Sequence, residues 1–150
     1  MPTSFDEIID SGLTLIVDYK LDSLYNTDMN AFLKFCDGLV IKAIPKFKEC
    51  NQGLEYEVDY TTDPYTREFT NTLTIYEKDI LAEYWAIGWF TRELQVASRI
   101  NAALQNSGSF KSHSEAQNLK AKESYLNGLR VKVKQDTVDY LVMYPSTYDY

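Results

Sequence analysis

Little in this sequence is suited to catalysis. His113 is the only histidine, so one copy of the chain cannot build a two-histidine metal site or a histidine-bridged triad. Its place at the start of a predicted helix makes it a solvated structural residue. The two cysteines, Cys36 and Cys50, fall short of the four ligands a structural zinc site takes. They read as small buried hydrophobes, and a disulfide is not expected in a reducing compartment. Glycine-rich phosphate loops, HExxH and GxSxG are all missing. A carboxylate pair such as Asp18 and Asp22 could bind a cation or move a proton, but surface carboxylates at helix ends are far commoner than catalytic ones. No residue is therefore assigned to catalysis, to a cofactor or to a metal.

Long apolar runs are also missing. No stretch has the length of a membrane span, and the opening MPTSFDEIID has neither the basic region nor the apolar core of a signal peptide. The expectation is a chain made and folded in a cytoplasm. Basic excess is absent too: the net charge is −7, which argues against general affinity for nucleic acid phosphates. The charge is unevenly spread. Residues 1–110 hold 17 acids and 9 bases, residues 111–134 hold 2 acids and 6 bases, and residues 135–150 hold 3 acids and no base. A basic segment thus lies between two acidic ones. It reads either as a solvated helix face or as a patch for an acidic partner, a neighbouring copy included.

What is present is helical periodicity in 150 residues, a length that suits one domain. The stretch 71–97 organises the rest. Thr74 and Glu77 have capping-box spacing. Ile80, Tyr84, Ile87 and Leu94 form one stripe, Leu81, Trp85 and Gly88 a second, and Trp89 and Phe90 fill the gap. A helix apolar nearly all round is covered on more than one side. Trp85 and Trp89, four residues apart, fit a core and a subunit-contact stripe equally well.

Ser4 and Glu7 open a helix predicted over 5–17, and Thr27 or Asp28 caps one predicted over 28–48, with a kink or break at Pro45. DYKLDSLYN reads as the connector between them. From 51 to 72 the helical period vanishes, and Tyr56, Tyr60 and Tyr65 have no helical face to join. A short strand or projecting arm that touches a neighbour is expected there. The central helix is predicted over 74–104. Ser112 and Glu115 start the last one, over 112–139, with Ala116, Leu119, Leu126, Leu129 and Val133 as its stripe.

The expected fold is all-α: a bundle of about four helices over 1–139, with an extended inter-helix arm. Residues 140–150 are expected to form an extended docking tail, because Pro145 stops a helix and no base complements one. Its apolar side chains, Tyr140, Val142, Met143, Tyr144, Tyr148 and Tyr150, join Tyr56, Tyr60, Tyr65, Trp85 and Trp89 as the candidate contact residues.

TSFDEIIDSGLTLIVDYKL at 3–21, FLKFCDGLVIKAIPKFKEC at 32–50, LTIYEKDILAEYWAIGWFTREL at 73–94 and SFKSHSEAQNLKAKESYLNGLRVKVKQ at 109–135 together resemble the head–tail connector (adaptor) proteins of long-tailed, siphovirus-type bacteriophages. The order and spacing of the segments make the resemblance, and Trp85 and Trp89 stand where smaller aliphatics are expected. It implies a non-enzymatic virion protein that assembles as a dodecameric ring beneath the portal protein. It also implies that a head-closure (stopper) or tail protein docks on the ring, and that duplex DNA passes through the lumen unread. An acidic ring suits such a channel, because like charge repels phosphate. Two alternatives stand beside it: another neck or tail-completion protein, and a small helical binding or regulatory protein.

Overall fold

The computed structural model describes residues 1–106 and 112–145, with side chains at 1–18, 21–99 and 119–145. The fold is mainly helical. Five helices, α1 (Phe5–Leu13), α2 (Tyr19–Thr27), α3 (Met29–Ala43), α4 (Ile75–Asn106) and α5 (Ser112–Met143), are joined by one antiparallel hairpin, β1 (Tyr56–Asp59) and β2 (Thr66–Phe69). The four-helix, all-α expectation therefore needs a fifth helix and a two-stranded sheet.

The α4 helix is the hub, packing against α1, α3 and α5. Ile80, Leu81, Trp85, Ala86, Trp89 and Phe90 are all buried, as a helix covered on several sides requires. Thr74 Oγ1 accepts the Glu77 amide at 3.3 Å at its start. The Glu77 carboxylate does not complete a capping box; it is buried and accepts from Gln52 Nε2 at 2.9 Å. The first helix behaves alike. Ser4 Oγ accepts from the Asp6 amide at 3.2 Å, while Glu7 reaches Lys78 at 3.7 Å.

The predicted connector is helical. Asp18 Oδ1 accepts the Leu21 amide at 3.3 Å at the start of α2, and Leu21 is buried. Asp18 also accepts Trp89 Nε1–H at 2.9 Å, which ties the junction between α1 and α2 to the hub. The first helix accordingly stops at Leu13 and not at 17. Asp28 caps α3, its Oδ1 accepting from the Ala31 amide at 3.1 Å. Pro45 breaks that helix as expected: α3 ends at Ala43, and a single 3-10 turn spans Ile44–Lys46.

The hairpin is no projecting arm. Its register pairs Tyr56 with Phe69 and Val58 with Arg67, and alternation turns Arg67 and Phe69 inward, where both are buried. The Phe69 ring lies 5.0 Å from that of Phe5, and the Phe69 amide donates to Thr3 O at 2.8 Å. Of the aromatics that had no helical face, Tyr56 packs on Phe5 of α1 and Tyr60 donates to Asp37 of α3.

The last helix also departs from expectation. Leu126, Leu129, Val133, Thr137 and Tyr140 are buried at successive steps of three or four residues, so the stripe continues past Asp139 and the helix runs to Met143. The Tyr144 amide donates to Tyr140 O at 2.9 Å, one residue before Pro145 stops the element. Tyr140, expected to begin an extended tail, instead lies in this helix and in the core.

Candidate interaction surface

Two polar centres organise the packing. In the first, Arg67 forks onto Asp37, with Nη2 2.5 Å from Oδ1 and Nε 2.7 Å from Oδ2, while Nη1 reaches Asp6 at 2.8 Å. Tyr60 O–H donates to the same Asp37 at 2.7 Å, and burial together with that carboxylate pushes the phenol up. Asp37 is fully buried, so this planar bidentate pair fastens β2 to α3 and α1. A charge pair this well satisfied reads as a fixed joint.

The second centre faces a groove of about 490 Å³ between α1, α4 and the end of α5. Glu83 of α4 is buried. Its Oε1 accepts from Lys132 Nζ, which also reaches Asp136 at 2.8 Å. Glu83 Oε2 is buried and meets no N–H or O–H donor among the described residues. Burial, with the Asp136 carboxylate within hydrogen-bonding reach, lifts the Glu83 carboxyl to about 7 against the pull of Lys132. Asp136 moves the other way, held down chiefly by its hydrogen bond with Glu83 and then by Lys132. The two shifts favour a proton on Glu83 beside an ionised Asp136. Asp79 and Asp139 add two more carboxylates to the same groove, and Leu15 and Met143 give it apolar walls.

The structure divides the predicted contact residues into three sets. Val142, Met143 and Tyr144 are exposed at the end of α5, and Tyr144 lies 6.2 Å from the ring of Tyr76, itself exposed on α4. Tyr76 and Met143 also line the groove, so these four exposed apolar and aromatic residues gather at its end, an edge of the kind that marks a contact surface. Tyr56, Tyr60 and Tyr65 form the second set. Tyr56 is exposed yet packs on Phe5, and Tyr60 and Tyr65 lie edge to face at 5.3 Å and are half-buried.

Trp85, Trp89 and Tyr140, also expected as contact residues, are buried within the subunit. Trp85 is fully buried and donates Nε1–H to Cys36 O at 3.1 Å. Trp89 is spent on Asp18. The Tyr140 hydroxyl accepts the Asn51 amide at 2.9 Å, and its ring meets Phe47 at 5.4 Å. Tyr148 and Tyr150 lie outside the described residues.

Both cysteines are free. Burial pushes Cys36 up to about 12 and Cys50 to about 11, so neither offers a thiolate. Glu83 was missed by sequence reading because a lone glutamate in an apolar helix looks like a solvated residue. Its position one turn from Ile80 and Ile87, both buried, was the available signal.

No known protein family, curated protein or solved structure matches the chain. Among the described residues, no helix is long and apolar enough to cross a membrane.

Proposed function

We propose that this chain is a structural, non-enzymatic subunit of a bacteriophage neck. It acts as a head–tail connector that assembles as a dodecameric ring beneath the portal, extends the DNA exit channel and receives the head-closure or tail protein. Its place is the head–tail interface of the virion, reached from the host cytoplasm during assembly. The observation that carries the reading is the apolar edge of Tyr76, Val142, Met143 and Tyr144 beside an acidic groove on a mainly helical scaffold. Large aromatics and methionine are the residue types that anchor protein contacts. The net charge of −7 suits a lumen that duplex DNA slides through without sticking.

The test is co-sedimentation with purified portal rings, read with images of the complex in which copies are counted. Wild type should attach in a ring. Val142→Asp combined with Met143→Asp, both at exposed positions, should stay folded and fail to attach. Unchanged attachment of that variant, or portal rings that never hold the wild-type chain, would refute the proposal.

A further inference from the structure

We infer that the groove between α1, α4 and α5 seats a lysine or arginine side chain, supplied by the basic face of α5 in a second copy of this chain. The groove gathers Asp79, Glu83, Asp136 and Asp139 against one amine, Lys132, so it holds a surplus of negative charge. Lys132 is already divided between Glu83 and Asp136, which leaves Glu83 Oε2 buried and without a donor. That oxygen becomes a full acceptor only once the carboxyl ionises, which a cation seated in the groove favours. Leu15 and Met143 wall the same space, and apolar walls suit the methylene stem that leads to a charged head.

The donor comes from charge complementarity within the chain itself. Residues 111–134 carry 6 bases against 2 acids, and Lys120, Lys122, Arg130 and Lys134 are exposed on α5. Among the described residues none of these four forms an ion pair; Arg130 reaches only Asn127, at 3.4 Å. Groove and basic face are different patches of one molecule, so the contact is heterologous. It passes from copy to copy and closes into a ring where the rotation permits. The identity of the partner rests on the ring-forming reading proposed above; the preference of the groove for a side-chain cation does not.

Seating a cation expels the proton on Glu83. The titratable groups lining the groove with Glu83 are Lys132, Asp136 and Asp139 from α5 and Tyr76 and Asp79 from α4, while Ser11 of α1 and the adjoining Thr14 and Leu15 add none. With the Glu83 carboxyl lifted to about 7, its ionised fraction rises roughly tenfold from pH 6 to pH 8. Self-association should tighten by about the same factor.

Sedimentation equilibrium of the full chain at low salt, at both pH values, tests this. Wild type should self-associate about tenfold more tightly at pH 8, and Glu83→Gln should lose that step while remaining folded by circular dichroism. Asp139→Lys at the groove, and Lys122→Glu with Arg130→Glu on the basic face, should each give monomers. Mixed together, they should give a 1:1 dimer that grows no further, because one intact groove then meets one intact basic face. The inference is overturned by wild type that stays monomeric up to ~1 mM, by a pH step that survives in Glu83→Gln, or by single-face variants that associate like wild type. A mixture that fails to pair excludes the second copy as donor. Portal capture is a separate measurement: its loss with self-association intact removes the connector reading and leaves the groove standing.

Discussion

Gly12 sits near the end of α1 in ordinary helical surroundings, and helix propensity alone favours Gly12→Ala by up to about 1 kcal/mol. Packing opposes it. A Cβ at Gly12 would lie 2.4 Å from Trp85 Cε3, 2.9 Å from Cδ2 and 3.1 Å from Cζ3. The indole cannot retreat easily, because Trp85 is fully buried and its Nε1–H is held by Cys36 O at 3.1 Å. Overpacking of this kind costs roughly 1–3 kcal/mol, so the expected net loss is about 1–2 kcal/mol. For a chain of this size that lowers the melting temperature by roughly 2–8 °C. Urea titration followed by tryptophan fluorescence and far-ultraviolet circular dichroism reads it, with the slope on denaturant unchanged. Two internal controls carry the opposite sign. A Cβ at Gly38 in α3 or at Gly128 in α5 meets nothing within 4 Å, so alanine there should stabilise by up to about 1 kcal/mol. Trp85→Phe removes the atoms that clash and should shrink the Gly12→Ala penalty in that background. The reasoning is refuted if Gly12→Ala is as stable as wild type, or if it moves in the same direction as Gly38→Ala.

Three further outcomes are expected. Asp37→Ala should cost about 3–5 kcal/mol in denaturant unfolding, because it leaves the buried Arg67 guanidinium with Asp6 as its one carboxylate partner among the described residues; a loss below about 1 kcal/mol would show that water reaches that joint. Glu83 binds its proton more tightly folded than unfolded, since burial raises it from 4.5 to about 7. Its contribution is therefore fully present below pH 4.5 and is lost as pH rises through about 7, on the order of 3 kcal/mol. Glu83→Gln should flatten that part of the stability profile, and an unchanged slope would assign it elsewhere. Truncation after Asp139 removes Tyr140 from the core and should cost at least about 3 kcal/mol. An unfolding midpoint equal to that of wild type would contradict the placement of Tyr140.

Local chemistry and one-dimensional period settled a good part of this architecture. The apolar run around Trp85 announced a helix covered on several sides, Asp28 its neighbour's start and Pro45 its break, because each acts through its own backbone or through residues a turn away. Four readings needed the fold. The α2 helix hides in a polar string whose Asp18 becomes legible as an anchor only when Trp89, 71 residues on, reaches it. The hairpin tyrosines looked unpartnered until the fold set Tyr56 on Phe5 and Tyr60 on Asp37. Tyr140 looked like the start of a tail, since the step from Thr137 to Tyr140 counts as apolar periodicity only once Thr137 is seen to be buried. Glu83 looked like one more surface acid. A carboxylate's charge is set by how much water is removed from it and which charges share the cavity, and both depend on α5 crossing α4 with Lys132 and Asp136 at the right height. Sequence order fixes what lies within a helical turn; distance across the fold, and with it desolvation, exists only after the chain has closed on itself.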